Sequence, residues 1–329
     1  MRAEQAALRS RGGTALSCAL ALVLMGAAPA LAWEPTQPVR IVVHTPAGSG
    51  ADVFARAVLD VIEKEKLMPV PAEVVNQPGA GGLNAMNYTA QQAGNPHYLM
   101  AVTNVFLATP LRQKSELTYK DFTPVMILAE DSNALQVNAN TYKTFDEFVA
   151  AAKASPKAVS HGVGSIGGTD HMIGYALGQA IGAEFNVVAF DGGGDAAVAV
   201  LGNHADFVTG GPSETKGQID AGLLRVLAVI GEERLESFPD IPTLKELGVD
   251  VGATFAVIRG FVGPKDMPAD AVEYYAGILE KVAESEQWKE FARRSDFTDT
   301  KAGPGEMGEF LARRNDAIAE TLTAMGVLK

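Results

Sequence analysis

The chain has 329 residues, 47% of them hydrophobic, and a formal net charge of −12 at pH 7. This acidic balance disfavours nucleic acid and anionic lipid as partners, although backbone donors inside a cleft can still bind a small anion. The only cysteine is Cys18, so thiol nucleophiles, zinc–thiolate sites and disulfides are excluded from the rest of the chain. The length and apolar content predict a large core divided between two lobes.

Residues 1–32 have the pattern of a cleaved secretory signal. Three arginines begin the chain, a charge-free apolar run extends from Thr14 to Ala28, and Ala-Leu-Ala at 30–32 is the small-x-small pattern of a cleavage site. The run is shorter than the roughly 20 residues that span a bilayer, which disfavours a membrane anchor. The residues before Cys18 match a lipoprotein signal poorly. We therefore expect a periplasmic protein that begins at Trp33.

Short apolar strands alternate with helical patterns along the rest of the chain. The first strand, Val39–Val43, is a continuous apolar run typical of a buried parallel strand. Thr144 and Glu147 predict a capping box that opens a helix over 145–154. The alternation predicts α/β architecture. Further strands are predicted near 72–75, 98–103, 158–163, 186–190, 205–209 and 224–229, with helices near 83–93 and through the region after Pro268.

Four glycine-rich segments each follow a predicted strand and precede a predicted helix. Glycine lets the backbone approach a ligand closely, and the N–H groups of a helix start favour an anion. Each loop alone could be an ordinary tight turn, but the four together, with the hydroxyls of Ser49, Ser165 and Thr169, favour an anion-binding site. The segments are PAGSGAD (46–52), NQPGAGG (76–82), GVGSIGGTDH (162–171) and DGGGD (191–195).

These loops match neither nucleotide-binding nor catalytic motifs. Valine stands where a dinucleotide fingerprint at 48–53 needs its third glycine, and no P-loop sequence occurs. Ser165 lies in G-S-x-G rather than in the G-x-S-x-G of a nucleophile elbow. The five histidines have no metal-ligand spacing, and Asp191 and Asp195 are interpreted as a loop residue and a first-turn helix residue. We expect a binding protein, not an enzyme, with no metal and no cofactor.

Six segments in a fixed order carry a family resemblance. They are QPVRIVVHTPAGSGADVFAR (37–56), VVNQPGAGGLNAM (74–86), GSIGGTDH (164–171), FDGGGDAAVAVLGNHADFVTGGPSE (190–214), LLRVLAVIGEERLESFPDIPTLKELG (223–248) and RGFVGP (259–264). Together they resemble the extracytoplasmic substrate-binding receptors of tripartite tricarboxylate transporters, the Bug-type receptors. The resemblance extends from about Trp33 to Lys329.

The resemblance implies a two-lobed periplasmic-binding-protein fold of the type II-like, Venus-flytrap kind, with the ligand between two α/β lobes. The chain would cross between the lobes near 130–135 and again near 254–260. Lobe 1 would then contain 33–132 and 256–329, and lobe 2 would contain 133–255.

The resemblance also implies which residues contact the ligand. The first and second glycine loops would hold one carboxylate largely through backbone N–H groups, while Asp52 organises the first loop. The start of a helix in lobe 2 would oppose them. The implied ligand-binding residues are His44, Thr45, Ala47, Gly48, Ser49, Gly50, Ala80, Gly81, Thr103 and Asn104 in lobe 1, Ser165, Gly168, Thr169, His171 and Ser213 in lobe 2, and Arg259 near the second crossing.

Two positions depart from the family pattern. His44-Thr45 stands where many relatives have proline and an aromatic residue, and Ile258-Arg259 stands where many have tryptophan before Arg-Gly. We expect both positions to face the cleft and to make the ligand differ from citrate-like tricarboxylates. Arg259 either clamps a ligand carboxylate or pairs with a carboxylate of one lobe, and the sequence leaves both roles open.

The resemblance implies a monomeric transport receptor that captures a small organic carboxylate, such as a di- or tricarboxylate, for integral membrane transporter subunits. The main alternative is a periplasmic sensor that presents its closed form to a signalling partner, and the lesser one is an enzyme acting on a carboxylate. Dicarboxylates, tricarboxylates, aromatic acids and amino acids all remain open, because backbone donors distinguish little beyond carboxylate geometry.

Overall fold

A computed structural model describes residues 33–190, 192–231, 233–251 and 256–328. The predicted signal segment and Asp191 lie outside the described residues, as does part of the predicted second crossing. From Glu34 onward the chain belongs to one compact unit, which contains two β-sheets flanked by helices.

The first sheet contains six strands. They are β1 Val39–Val43, β2 Ala72–Asn76, β3 Tyr98–Val102, β4 Phe122–Asp131, β10 Val257–Pro264 and β11 Phe297–Thr298. Their spatial order is β11-β4-β10-β3-β1-β2. β1 pairs in parallel with β2 and β3, whereas β10 runs antiparallel between β3 and β4. β3 is buried at every position, as expected for a strand covered on both faces.

The second sheet contains five strands. They are β5 Asn133–Asn138, β6 Ser160–Val163, β7 Asn186–Ala189, β8 Phe207–Gly210 and β9 Leu224–Ile230. Their spatial order is β7-β6-β8-β5-β9. β6 is parallel to β7 and β8, and β5 is antiparallel to β8 and β9.

Helices pack against both sheets. They are α1 Gly50–Lys64, α2 Leu83–Ala90, α3 Val105–Gln113, α4 Phe145–Lys153, α5 Thr169–Ile181, α6 Gly193–Leu201, α7 Lys216–Asp220, α8 Ala269–Glu284, α9 Glu286–Arg294 and α10 Pro304–Ala324. The apolar stripe of α1 faces the core, where Phe54 stacks on Phe261 with ring centroids 5.2 Å apart. None of the helices in the described ranges is both long and apolar enough to cross a bilayer.

The helix start at Thr144 differs in one hydrogen bond from the predicted capping box. Thr144 Oγ1 accepts from the N–H of Glu147 at 3.2 Å, as expected. Glu147 Oε2 instead accepts from the N–H of Lys143 at 2.7 Å, one residue before the cap. The carboxylate therefore stabilises the preceding turn rather than closing the box.

The chain passes from the first sheet to the second where β4 ends at Asp131 and β5 begins at Asn133. The start of β5 pairs with the ends of β8 and β9, and the start of β10 pairs with the end of β4. The carboxyl ends of the parallel strands in both sheets therefore converge on this crossing. In open α/β sheets, ligands bind at such edges.

Candidate functional site

All four predicted glycine loops lie at these converging edges. They connect β1 to α1, β2 to α2, β6 to α5 and β7 to α6. Because the strands that precede them are parallel within each sheet, two loops open from the first sheet and two from the second. The space between the two edges is called the cleft below, and the crossing strands form its floor.

The first loop is organised by Asp52, near the start of α1. Its Oδ2 accepts from the N–H of Gly48 at 2.9 Å and from Arg56 Nε at 2.9 Å, while Oδ1 accepts from Asn76 Nδ2 at 2.9 Å. Burial alone would raise the pKa of Asp52, but these hydrogen bonds outweigh it and lower the pKa to about 2. The expected organising role of Asp52 agrees with this geometry, whereas the N–H of Gly48 is occupied and does not donate to a ligand here.

The donors that remain in the first loop belong to the first turn of α1. Ala47 and Gly50 are exposed, and Ser49 is the N-cap residue without a side-chain capping bond. The first N–H groups of a helix have no intrahelical acceptor. Gly50 and Ala51 therefore present two N–H groups at the positive end of the helix dipole.

The second loop is fixed by α3. Ala80 and Gly81 have φ angles of 49° and 61°, so both lie in the left-handed region. Thr109 Oγ1 donates to the carbonyl of Gly81 at 2.8 Å, and Gln113 Nε2 donates to that of Ala80 at 3.1 Å. The two carbonyls are thus bound, while the two N–H groups have no backbone acceptor among the described residues.

His44 and Thr103 lie together at the ends of β1 and β3. His44 Nε2 is 3.4 Å from Thr103 Oγ1. Burial, and after it the charge of Arg259, lower the pKa of His44 to about 4. The ring is therefore neutral at pH 7 and offers hydrogen bonds rather than positive charge. The neighbouring Thr45 has a buried hydroxyl without a partner in the described ranges.

Asn104 and Ile258 do not take the positions expected for ligand contacts. Asn104 is 1% exposed, and its side chain binds the backbone of the second crossing. Its Nδ2 donates to Ala256 O at 3.1 Å, and its Oδ1 accepts from Ile258 N at 3.3 Å. Ile258 is fully buried in the core. In this arrangement both side chains are therefore occupied within the protein, and the role of Asn104 and Ile258 in ligand binding stays a prediction.

The third loop repeats the construction of the first. Asp170, at the second position of α5, accepts from the N–H of Gly164, and its Oδ1 accepts from the N–H of His171 at 2.8 Å. The N–H of Gly167 donates to His171 Nδ1 at 2.8 Å. Burial, and then the charge of Arg112, lower the pKa of His171. A neutral ring that accepts at Nδ1 carries its proton on Nε2.

The remaining predicted residues of the second-sheet side lie around the start of α5. Ser165 is exposed, and Thr169 and Ser213 are partly buried. The N–H of Gly168 donates to Ser165 O at 3.0 Å, so it is not available as expected. Asp170 binds its own N–H through its carboxylate, so Thr169 supplies the first-turn N–H group of α5 instead.

Arg259 forms an ion pair on the floor of the cleft. It is 5% exposed, and its Nη2 donates to Asp131 Oδ2 at 2.6 Å. This geometry matches the second of the two predicted roles, pairing with a carboxylate of the protein. Burial raises the pKa of Asp131 to about 6, and Arg259 opposes that shift. Beside the pair, a Cβ on Gly260 would lie 2.5 Å from Met126 O, so only glycine lets β10 approach β4 here.

Two charged residues at the cleft were not predicted. Arg112 on α3 is partly buried, and its Cδ lies 3.1 Å from the position that a Cβ on Gly167 would occupy. Glu214 Oε1 lies 3.4 Å from the corresponding position on Gly50. The sequence pattern that could have identified Arg112 is its spacing from Thr109 and Gln113. All three lie on one face of α3, and Thr109 and Gln113 bind the second loop. No local pattern marks Glu214.

Two further observations concern other kinds of site. Within the described ranges, no group of three or more His, Cys, Asp or Glu side chains could hold a metal ion. A groove of about 800 Å³ lies between residues 233–236 and α9, and none of the predicted ligand-binding residues lines it. The glycine loops, not this groove, carry the donors that suit a carboxylate.

Comparison with known proteins identifies similar chains. The sequence model of the tripartite tricarboxylate transporter family receptor matches residues 54–321. A Cupriavidus necator protein named "UPF0065 protein in gbd 5'region" is 28% identical over 324 residues, covering 94% of this chain and 95% of that protein. The solved TctC solute binding protein from Polaromonas is 27% identical with a TM-score of 0.73, covering 88% of this chain and 99% of its own.

A second solved structure, R. palustris Rpa4515 with adipate, has a TM-score of 0.77 at 21% identity and covers 89% of this chain and 98% of its own. At 21% identity, the similarity of the two structures shows only that they share a fold. Together with the Polaromonas structure, it confirms the predicted two-lobed α/β fold.

Proposed function

Since the chain belongs to the tripartite tricarboxylate transporter family of receptors, which is the family that the sequence resembles, we propose that it captures a small organic carboxylate in the cleft. It then delivers the ligand to the integral membrane subunits of a transporter. The observation that carries this proposal is the convergence of first-turn N–H groups from α1 and α5 with the second glycine loop.

The donors of this cleft are suited to carboxylates. Gly50, Ala51, Ala80, Gly81 and Thr169 offer backbone N–H groups from three separate loops. Hydrogen bonds to a charged group contribute about 1.5–3 kcal/mol each. A micromolar ligand needs about 8 kcal/mol net, so two or three bonds to each of two carboxylates are adequate after the cost of ordering.

The ligand of a related protein supports the same chemistry. R. palustris Rpa4515, which shares this fold, was solved with adipate. A linear dicarboxylate of that kind could place one carboxylate at the first and second loops and the other at the start of α5. We propose this bipartite mode for the present chain.

The proposed mechanism is lobe closure without chemistry. Lobe 1, residues 33–132 and 256–329, and lobe 2, residues 133–255, each supply part of the donor set. A ligand that contacts both lobes populates the closed form. The receptor acts as a periplasmic monomer whose closed form is recognised by the membrane subunits.

A thermal-shift screen tests this function. The protein is expressed as the full-length chain, purified, and mixed with mono-, di- and tricarboxylates, aromatic acids and amino acids. A ligand at about 100 times its Kd adds about 2.7 kcal/mol to the folded state, which is several degrees at this size. We expect a shift with particular carboxylates and none with the matched uncharged diamides, for example adipate against adipamide.

Two results would contradict the proposal. No shift with any carboxylate would remove the binding function, and equal shifts with a carboxylate and its diamide would show that the donors do not recognise the charge. Uptake measured in cells with and without this chain then separates a transport receptor from a sensor, because only the receptor is required for uptake of the ligand.

A further inference from the structure

Glu214 places a carboxylate between the two sides of the cleft. It follows β8 and belongs to the second-sheet side. A Cβ on Gly50, the first residue of α1, would lie 3.4 Å from Glu214 Oε1, and a Cβ on Gly193, the first residue of α6, would lie 3.9 Å from Oε2. The carboxylate therefore lies beside the starts of two helices, one from each sheet.

This carboxylate is exposed and has no partner among the described residues. No hydrogen bond or ion pair joins it to a side chain or to the backbone in the described ranges. The guanidinium of Arg259 lies close to the same point, with Nη2 3.3 Å from the Cβ position of Gly50, but Arg259 is bound to Asp131 at 2.6 Å. One arginine thus faces two carboxylates.

The floor also contains buried atoms that lack partners. Arg259 Nε and Asp131 Oδ1 make no hydrogen bond in the described structure, and the two side chains are 6% and 5% exposed. A Cβ on Gly211 would lie 3.2 Å from Asp131 Oδ1, so this oxygen lies beside the strand end that leads to Glu214. Asp131 and Glu214 together face one guanidinium, so the region near Glu214 carries more negative than positive charge, whereas the glycine loops present N–H donors.

We propose, as a refinement that rests on the proposed function, that the ligand is a small amino carboxylate and that Glu214 is the residue that selects its ammonium group. The N–H groups of the glycine loops bind the carboxylate, which every organic acid carries. Glu214 binds the charged amino group, which only some acids carry, and Asp131 Oδ1 is a second acceptor nearby.

The physical basis is the difference between a satisfied and an unsatisfied charge. An ammonium group forms short charge-assisted hydrogen bonds with a carboxylate. A dicarboxylate without an amino group brings like charge to Glu214 and leaves its oxygens without donors once water is excluded. Sites that hydrogen-bond an NH of their ligand reject analogues that lack it far more strongly than apolar pockets reject a missing methylene.

Isothermal titration with matched ligand pairs tests this selection. The pairs are succinate with L-aspartate and glutarate with L-glutamate, because each pair differs by one amino group. We expect the amino member to bind about 10-fold more tightly or better in the wild type. In Glu214→Gln, which keeps the shape of the side chain, we expect that preference to fall by about the same factor, chiefly through weaker binding of the amino member.

The control is Glu233→Gln, which removes one exposed negative charge outside the cleft and should leave the preference unchanged. Unfolding curves of both variants check that the fold is intact. The inference is overturned if an acid without an amino group binds the wild type as tightly as its partner. It is also overturned if Glu214→Gln tightens both members equally, since Glu214 would then only compete with the ligand for the helix starts. If no acid of either kind binds the wild type or the variant, the proposed function fails as well.

Discussion

At the scale of single residues, the floor of the cleft depends on the buried pair of Arg259 and Asp131. Both side chains are almost fully buried, and their atoms approach to 2.6 Å. Removing one partner of such a pair leaves an uncompensated buried charge, whereas removing both leaves none. The pair therefore contributes to stability mainly by preventing an unpaired charge.

A double-mutant cycle measures this coupling. We expect Arg259→Met and Asp131→Leu each to lower the free energy of unfolding by about 3–5 kcal/mol. The double variant should lose clearly less than the sum of the two. Urea unfolding followed by circular dichroism gives all four values.

A surface pair provides the control for the cycle. Arg234 and Glu246 are 2.9 Å apart, but their side chains are 43% and 45% exposed. Glu246→Ala should therefore change the free energy of unfolding far less than either buried variant does. Additive losses for Arg259 and Asp131 would mean that the two groups do not stabilise each other.

His161 is a second buried group whose charge state affects stability. It is fully buried and stacked on Phe207, and its Nδ1 has no partner in the described ranges. A Cβ on Gly174 would lie 2.1 Å from that nitrogen, so α5 can pass the ring only at a glycine. Burial, and then His171, lower the pKa of His161 to about 3.

This shift predicts the direction of a pH effect. The unfolded chain binds a proton at His161 below about pH 6.5, whereas the folded chain does not until about pH 3. The contribution to stability is therefore fully present above pH 6.5. It is lost at about 1.4 kcal/mol per pH unit as the pH falls from there toward 3.

Unfolding in urea at pH 7.5, 6, 5 and 4.5 measures the effect. His161→Gln cannot titrate, so its free energy of unfolding should fall less steeply with acid than that of the wild type. His204→Gln, at an exposed position, is the matched substitution outside the core. If the free energy of unfolding falls equally steeply with acid in the wild type and in His161→Gln, the lowered pKa of His161 is contradicted, whatever the difference in stability between the two proteins.

At the scale of elements, the start of α5 isolates one backbone donor. Thr169 is the first residue of this helix, and Gly168 before it has φ −75° and ψ 174°. Proline is tolerated at the first helical position, and an extended residue before it is compatible with proline. Thr169→Pro therefore removes one N–H group without breaking the helix.

We expect Thr169→Pro to weaken carboxylate binding by about 10-fold or more, the value of one hydrogen bond to a charged group. Thr169→Val removes only the hydroxyl and separates its contribution. Glu286→Pro, at the first position of α9 and after a residue with φ −68° and ψ 144°, is the matched control far from the glycine loops. Titration calorimetry with the ligand from the screen gives the three affinities, and unchanged binding in Thr169→Pro would exclude this N–H as a donor.

The same elements indicate which parts of the structure can be predicted from local sequence patterns. Continuous apolar runs located the parallel strands to within a few residues, and the glycine loops lie between strand and helix as expected. Local patterns could not find the pairing of Arg259 with Asp131, because the two residues are 128 positions apart. Glu214 was missed for the same reason, since its position against Gly50 depends on how two sheets meet. The predicted capping box was wrong in one hydrogen bond, since the flexible side chain of Glu147 accepts from the N–H of Lys143 rather than from that of Thr144.

At the scale of the whole molecule, Arg314 on α10 joins both connections between the sheets. Its Nη1 donates to Ala256 O at 2.7 Å, at the start of the second crossing, and its Nη2 forms an ion pair with Glu130, at the end of β4. The side chain is 7% exposed. One guanidinium thus fixes the positions from which the two lobes would rotate.

We expect Arg314→Met to loosen this hinge. Arg314, Ala256 and Glu130 all lie in lobe 1, at the strands that lead to lobe 2. Without the two hydrogen bonds these strands hold lobe 2 less firmly in the described arrangement, so small-angle scattering should give a larger radius of gyration for the free protein. The ligand must then supply the energy of closure, and its Kd should rise by about 5- to 10-fold, the effect of roughly 1 kcal/mol on the closed population. Saturating ligand should return the radius of gyration to the wild-type value.

Arg313→Met is the matched control for this prediction. Arg313 is adjacent in sequence, but its side chain is 70% exposed and lies 3.8 Å from Glu309 on the same helix. Both its radius of gyration and its ligand affinity should equal those of the wild type. If Arg314→Met lowers the free energy of unfolding but leaves both of these quantities unchanged, Arg314 stabilises α10 without controlling closure. A changed affinity with an unchanged radius would instead indicate a local distortion of the cleft floor, because Glu130 directly precedes Asp131, where β4 ends and the first crossing begins.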